Sequence, residues 1–129
     1  MGDIAMTDLH VLVVDDNEPM RLLLRKMLAD LGITNVATAH DGIEALKVMN
    51  QRLPDLVITD QQMEPLDGVH FVQELRTSQD ARMKDLPVIM MTGHMGKEVL
   101  TDAVKAGVDD FLAKPISPAT LKQRIQRLF

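Results

Sequence analysis

The feature that most constrains the fold of this chain is a set of short apolar runs that each end in a reactive polar residue. The four runs are Val11–Val14 before Asp15 and Asp16, Leu56–Thr59 before Asp60, Val88–Met91 before Thr92, and Phe111–Ala113 before Lys114. Short aliphatic runs separated by amphipathic stretches predict buried parallel strands. Because parallel strands deliver their carboxyl ends to one edge of a sheet, we expect these polar side chains to converge there.

The stretches between the apolar runs carry hydrophobic residues three and four positions apart, which predicts five helices. Their predicted apolar faces are Met20, Leu23, Leu24, Met27, Leu28 and Leu31; Ile43, Leu46 and Met49; Phe71, Val72 and Leu75; Val99, Leu100, Ala103 and Val104; and Leu121, Ile125 and Leu128. Asn17 and Ser117 are expected N-caps, and Gly32 and Gly107 are expected to end helices. The polar stretch 77–85 is predicted to be a loop.

Five strand–helix units with right-handed crossovers predict an α/β fold, a doubly wound parallel sheet with helices on both faces. The predicted strands are 11–14, 35–39, 55–60, 87–91 and 110–113. The second strand ends in Ala39-His40-Asp41, away from the candidate site, which favours an edge position. We therefore predict strand order 2-1-3-4-5, with the switch point between strands one and three. Residues 1–8 are expected to form a polar leader and residues 9–129 one domain.

Composition excludes several classes of function. The chain has no cysteine, so disulfides and thiolate metal sites are ruled out. A net charge of −5 without a basic, aromatic-rich patch argues against nucleic-acid binding. No apolar run approaches membrane-spanning length, and the first residues lack the pattern of a signal peptide. We therefore expect a cytoplasmic protein that does not insert into a membrane.

The residues at the predicted sheet edge indicate phosphoryl chemistry. Asp15, Asp16 and Asp60 cannot all stay ionised at contact distance without a counter-charge. Oxygen ligands without His or Cys suit a hard divalent cation, and Mg²⁺ completes its coordination with water and phosphate oxygens. A cation together with Lys114 and the Thr92 hydroxyl would hold a transferring phosphoryl group. An Asp in that position can itself be the acceptor and form an acyl phosphate.

Across residues 9–129 the chain resembles the receiver domain of bacterial two-component response regulators, especially the single-domain CheY-like subgroup with its flavodoxin-like (βα)₅ fold. The residues that carry the resemblance are Asp15-Asp16, Leu31-Gly32, Asp41–Leu46, Asp60, Met63, Asp67-Gly68, Thr92-Gly93, Phe111 and Lys114-Pro115. The order 2-1-3-4-5 is also the order of that family. The resemblance therefore supports the same fold and adds specific roles for these residues.

The resemblance implies that Asp60 accepts a phosphoryl group from a sensor histidine kinase or a His phosphotransfer protein. Asp16, Asp60 and the backbone carbonyl of Gln62 would bind Mg²⁺ directly, and Asp15 would act through water. Lys114 and Thr92 would contact the phosphoryl oxygens. The family usually has a cis peptide bond before the Pro that follows the Lys, which we expect at Lys114-Pro115.

The resemblance also implies how the signal is passed on. Thr92 would move toward the phosphoryl group and Phe111 would rotate inward, re-shaping the surface of the fourth helix, the fifth strand and the fifth helix for a downstream protein. Gly93 would leave the entrance to the site unblocked. Gln62 and His94 would modulate the lifetime of the phosphorylated state, with a sign that does not follow from sequence. Leu22 lies off the apolar face of the first helix and is expected to contact the kinase or phosphotransfer partner.

Three departures from the family pattern concern the loop after the phosphoacceptor, the residue directly after it, and the aromatic residue of the fifth strand. Glu64 separates Met63 from Pro65, where the family commonly has Met-Pro, so we expect a re-shaped loop around an intact site. Gln61 replaces an aromatic residue that often follows the phosphoacceptor, and Phe111 stands where Tyr is common.

Several functions remain open at this point. The leading hypothesis is a monomeric phospho-receiver that catalyses only its own phosphorylation and dephosphorylation. It would act as a chemotaxis output on the flagellar switch, as a relay intermediate, or as a phosphate sink. A Mg²⁺-dependent phosphatase is less favoured, because such enzymes carry a second Asp where this chain has Gln62. A pseudo-receiver is disfavoured by the complete set of Asp15, Asp16, Asp60, Thr92 and Lys114.

Overall fold

The computed structural model describes residues 5–93 and 96–129. The strands are β1 His10–Val14, β2 Asn35–Ala39, β3 Leu56–Asp60, β4 Val88–Thr92 and β5 Asp110–Ala113. The helices are α1 Glu18–Asp30, α2 Gly42–Gln51, α3 Gly68–Arg76, α4 Ala81–Lys84, α5 Lys97–Ala106 and α6 Pro118–Leu128, preceded by a 3-10 turn, Met6–Asp8. The fourth and fifth helices of the sequence prediction are therefore α5 and α6.

The strands form one parallel sheet in the order β2-β1-β3-β4-β5, which confirms the predicted topology. The central strands β1, β3 and β4 are buried along their whole length, as expected for strands covered by helices on both faces. In the strand register, Asp60 pairs with Met91 and Thr92 pairs with Ala113. The carboxyl ends that carry the candidate residues therefore lie side by side.

Two apolar cores hold the helices against the sheet. Leu24 and Leu28 of α1 share one core with Leu121 and Ile125 of α6. On the other face, α2, α3 and α5 pack through Ala45, Met49, Phe71, Val72, Leu75, Ala103 and Ala106. Met6, in the segment predicted to be a polar leader, is partly buried and packs against the first core.

The predicted helix ends are confirmed by their hydrogen bonds. The side chain of Asn17 accepts from the Met20 N–H, and that of Ser117 accepts from the Thr120 N–H. Gly107 caps α5 in the left-handed conformation with φ 107°, a region that glycine enters without a Cβ penalty. These caps fix where α1 and α6 begin relative to the site residues that precede them.

Three predicted inward-facing residues are exposed: Leu23 by 44%, Ile43 by 46% and Val104 by 59%. Each helical residue is rotated by 100° from the next, so residues adjacent to a buried position turn away from it. Leu23 precedes the buried Leu24, and Val104 follows the buried Ala103. Ile43 and the buried Ala45 are two residues apart, so they lie about 160° apart around the axis of α2. Ile43 is therefore on the outer face of the helix.

The prediction of a loop at residues 77–85 was also wrong in part. The segment contains α4, whose first turn is capped by the Asp80 side chain accepting from the Arg82 N–H at 2.9 Å. Met83 packs partly buried against the core of α2, α3 and α5. A helix of four residues presents too short a pattern for its periodicity to be recognised.

Candidate functional site

The site residues are positioned by backbone hydrogen bonds that continue past the ends of the strands. The Gln61 N–H donates to the Met91 carbonyl at 3.1 Å, and the Lys114 N–H donates to the Thr92 carbonyl at 2.9 Å. The neighbouring strand ends are therefore held in register beyond the last residue of the sheet. The predicted convergence at this edge is present, and its side chains line an open groove.

Three carboxylates form the acidic part of the groove. Asp15, Asp16 and Asp60 each present an oxygen within 4.8 Å of the other two. Asp15 and Asp60 are buried and Asp16 is exposed. Asp15 Oδ1 accepts from the Asn17 N–H at 2.9 Å, whereas Asp15 Oδ2 is buried without a hydrogen-bond partner among the described residues. A buried carboxylate oxygen without a donor, beside two further carboxylates, fits a hard divalent cation such as Mg²⁺.

Lys114 supplies the positive charge on the opposite side of the cluster. Its Nζ lies 2.8 Å from Asp60 Oδ1 and 3.6 Å from Asp15 Oδ2. Partial burial by itself would lower the pKa of Lys114, but the hydrogen bond and charge of Asp60, with the charge of Asp15, raise that pKa above its ordinary value. Lys114 therefore stays charged and holds the Asp60 carboxylate in place.

Asp15 is the carboxylate of the site whose ionised form is disfavoured by its surroundings. Burial raises the pKa of its carboxyl, and the charges of Asp60 and Asp16 act in the same direction, outweighing the Asn17 N–H and Lys114. A carboxyl whose pKa is raised by folding destabilises the folded state when it is ionised. This penalty is full above the raised pKa, declines as the pH falls below it, and is absent below the ordinary pKa of an aspartate.

We predict that Asp15→Asn raises the stability of the metal-free protein by about 1 kcal/mol, because it removes a buried charge while keeping the Oδ1 acceptor for Asn17. Urea unfolding in a chelator measures the change, with the exposed Asp30→Asn as the control. Added Mg²⁺ should stabilise the wild type more than Asp15→Asn. An Asp15→Asn protein less stable than wild type in chelator would contradict this reading of the acidic cluster.

Thr92 lies at the end of β4 and is 1% exposed. Its hydroxyl donates to the side-chain Oε1 of Gln61 at 2.7 Å. From its sequence, Gln61 is only a departure from the family pattern, with no predicted role. Nothing in its spacing could have revealed this contact, because the two residues meet only through the pairing of β3 with β4.

Phe111 lies on β5 on the same face of the sheet as Thr92. Alternation along β4 and β5 places Met90 and Thr92 on the face that carries Phe111, and Met90 and Phe111 pack in the same core. Phe111 is partly buried. Because Ala113 is the register partner of Thr92, Phe111 is its diagonal neighbour on the next strand.

Gly68 brings α3 close to the backbone of the phosphoacceptor candidate. The Gly68 N–H donates to the Gln61 carbonyl at 2.9 Å. A Cβ at this position would collide with the Asp60 carbonyl oxygen and would lie 3.1 Å from the Gln61 Cα. The neighbouring Asp67 side chain caps α3 by accepting from the His70 N–H at 2.8 Å. These contacts give a physical reason for the Asp67-Gly68 pair.

The other predicted residues divide between the groove and its surroundings. Gln62 and Gly93 line the groove, and the Gln62 side chain is exposed. Leu22 is 58% exposed on α1, outside the groove. His94 lies outside the described residues. The Lys114-Pro115 peptide bond is cis, as predicted, and so is Glu64-Pro65 in the loop where the sequence departs from the family.

The fold and the site together define a class of protein: a doubly wound α/β domain with an acidic, lysine-containing cluster at the carboxyl ends of its strands. The sequence model of the family described as "Response regulator receiver domain" matches residues 11–126. The chain therefore belongs to the receiver-domain family of response regulators, of the CheY type, and is a phosphoacceptor module of two-component signalling.

Individual relatives agree with this assignment. The chain is 34% identical to chemotaxis protein CheY-3 of Vibrio cholerae over 129 residues, which is all of this chain and 98% of that protein. The crystallised V. cholerae CheY4 superposes with a TM-score of 0.87 at 32% identity, covering 94% of this chain and 98% of that chain. The receiver domain of a Pseudomonas aeruginosa sensor histidine kinase, with magnesium coordinated in its active-site cleft, gives a TM-score of 0.82 at 28% identity. That superposition covers 92% of this chain and 95% of the sensor kinase's receiver-domain chain.

Proposed function

We propose that Asp60 of this protein accepts a phosphoryl group from a phosphohistidine and that the phosphorylated form controls a downstream protein. The observation that carries the proposal is the 2.8 Å contact between Asp60 Oδ1 and Lys114 Nζ, next to Asp15 Oδ2, which accepts no hydrogen bond from the described residues. A carboxylate oxygen of Asp60 forms the new bond to phosphorus while the phosphorus–nitrogen bond of the phosphohistidine breaks. The neutral imidazole leaves as it takes up a proton.

Each site residue has a distinct part in this proposal. Asp16, Asp60 and the Gln62 carbonyl would hold Mg²⁺ directly and Asp15 would hold it through water, and the cation would supply positive charge for the phosphoryl group. Lys114 orients Asp60 before transfer and contacts a phosphoryl oxygen after it. The protein acts only on its own aspartate, so we expect no turnover of a separate substrate.

The experiment that tests this function is phosphoryl incorporation from a small acyl phosphate, measured by intact mass. With Mg²⁺ the protein should gain one phosphoryl group, and a chelator should block the gain. Absence of incorporation under conditions that label a known receiver domain would contradict the proposal. Equal phosphoryl incorporation with and without the chelator would contradict the role of Mg²⁺.

The partners are proposed from the family and the surface. The donor would be a sensor histidine kinase or a His phosphotransfer protein, contacting the exposed Leu22 of α1. The output surface would be formed by α5, β5 and α6. The relatives named as chemotaxis proteins favour the flagellar motor switch as the target, with a relay intermediate or phosphate sink as alternatives.

None of the helices in residues 5–93 and 96–129 has the length and apolar character needed to span a membrane. The monomeric state and the cytoplasmic location stay predictions.

We expect phosphorylation to move Thr92 and Phe111 together. The Thr92 hydroxyl would turn to the phosphoryl oxygens, and Phe111, its diagonal neighbour, would rotate into the space that Thr92 vacates. A bias of about 1–3 kcal/mol between two arrangements changes partner binding by about 5–150-fold. Two structures decide the matter, one of the unmodified protein and one with a phosphoryl mimic on Asp60. If both side chains keep the same positions in the two structures, this switch is wrong for the protein.

A further inference from the structure

We infer that Gln61 is a positioning residue that holds the Thr92 hydroxyl in the unphosphorylated arrangement and so opposes phosphorylation of Asp60. The inference rests on the proposed function, since it concerns the approach of Thr92 to a phosphoryl group on Asp60. It adds to that function a residue that sets how readily the site becomes phosphorylated. The side chain at position 61 would tune this equilibrium without touching the transferred group.

The backbone of Gln61 is fixed on two sides. Its N–H donates to Asp60 Oδ1 at 2.9 Å and to the Met91 carbonyl at 3.1 Å. Its own carbonyl accepts from the Gly68 N–H at 2.9 Å. A residue held at both its N–H and its carbonyl can direct its side chain in a defined way. The Gln61 side chain is directed toward the neighbouring strand β4, where its Oε1 accepts from the Thr92 hydroxyl at 2.7 Å.

The chemistry of a hydroxyl makes this contact competitive with phosphoryl binding. A threonine hydroxyl has one proton, so it can be the donor in only one strong hydrogen bond at a time. When that proton is donated to Gln61 Oε1, it is not available to a phosphoryl oxygen on Asp60. Phosphorylation must therefore break the Gln61–Thr92 bond before Thr92 can donate to the new group. Thr92 is almost completely buried, so its bond to Gln61 is shielded from solvent.

Removal of the Gln61 acceptor should shift this equilibrium toward the arrangement that binds a phosphoryl group. A hydrogen bond of this kind changes an equilibrium by a factor of about five. By linkage, the same factor should appear in the affinity for a phosphoryl mimic at Asp60. Gln61→Leu keeps a side chain of similar size and removes the acceptor, so it should bind the mimic about fivefold more tightly than wild type.

The test is a double-mutant cycle with beryllofluoride in the presence of Mg²⁺, measured by titration calorimetry. The proteins are the wild type, Gln61→Leu, Thr92→Ala and the double variant, with Gln73→Leu on the exposed surface of α3 as the matched control. We expect about fivefold tighter binding for Gln61→Leu and no effect of the same change in the Thr92→Ala background. Gln73→Leu should bind as wild type does. If Gln61→Leu fails to fold, Gln61→Asn is used, because its shorter side chain withdraws the amide from Thr92 and predicts the same direction.

Two results would overturn the inference. One is equal beryllofluoride affinity for the wild type and the Gln61 variant. The other is a gain that persists undiminished when Thr92 is Ala, since the effect of Gln61 would then not pass through the hydroxyl. Failure of the proposed function is distinguishable from both, because the wild type would then neither bind beryllofluoride nor gain a phosphoryl group from an acyl phosphate.

Discussion

Replacement of Asp60 by Asn is expected to reduce phosphoryl incorporation by at least about a thousandfold, because an amide cannot form the acyl phosphate. The change is nearly isosteric, and the amide oxygen can still accept hydrogen bonds from Lys114 Nζ and the Gln61 N–H. The fold should therefore be retained, and removal of one charge from the acidic cluster should not lower its stability. Intact mass after incubation with acyl phosphate and Mg²⁺ gives the extent of incorporation for each protein.

The control for this variant is Asp30→Asn, an exposed carboxylate at the end of α1. Asp30→Asn should label like the wild type, which separates loss of the phosphoacceptor from a general effect of lost negative charge. Undiminished labelling of Asp60→Asn would mean that another residue accepts the phosphoryl group. In that case Asp15 and Asp16, the neighbouring carboxylates, would be the residues to examine.

A Gly68→Ala protein is expected to be less stable by about 2 kcal/mol and to label at least about tenfold more slowly. The added Cβ would collide with the carbonyl oxygen of Asp60, which is backbone and cannot rotate away as a side chain could. Relief requires α3 or the end of β3 to move, and either movement displaces Asp60 relative to Lys114. Urea unfolding measures the first effect, and the rate of mass gain from acyl phosphate measures the second.

Gly93→Ala is the matched control for the stability measurement. A Cβ at Gly93 would contact none of the described residues within 4 Å, so its stability should stay within about 0.5 kcal/mol of the wild type. Equal stability of Gly68→Ala and the wild type would show that the loop after β3 is more adaptable than its contacts indicate. If a Gly68→Ala protein is as stable as the wild type and is phosphorylated at the same rate, Gly68 is not needed to position Asp60.

The strands and the main site could be predicted because their signals are local in the sequence, and the strand order followed from which strands end in site residues. The strands that lead to the site contain short apolar runs, and the residue that follows each run lies at the carboxyl edge whatever the details of packing. This is why Asp15, Asp60 and Lys114 could be placed together from sequence. The N-caps at Asn17 and Ser117 were equally local, since each accepts from an N–H three residues later.

The parts that sequence did not predict depend on packing between distant segments. The exposure of Ile43 follows from the orientation of α2 on the sheet, which its apolar residues at three-residue steps do not determine. The Gln61–Thr92 hydrogen bond joins residues 31 positions apart. Arg76 donates to the carbonyls of Leu86 and Gly107 and so ties α3 to the segments flanking β4 and α5. It also donates to the Asp109 side chain at 3.1 Å. No periodic pattern marks such a residue, because its partners lie on other segments of the chain.

The most direct test of the central claim is to locate the phosphoryl group chemically. An acyl phosphate on an aspartate is reduced by borohydride to homoserine, and peptide sequencing by mass spectrometry then identifies the modified position. The wild type, treated with acyl phosphate and Mg²⁺, should contain homoserine at position 60 and at no other aspartate. Homoserine at position 15 or 16, or its absence from a protein that has gained phosphoryl mass, would contradict the assignment of Asp60 as the phosphoacceptor.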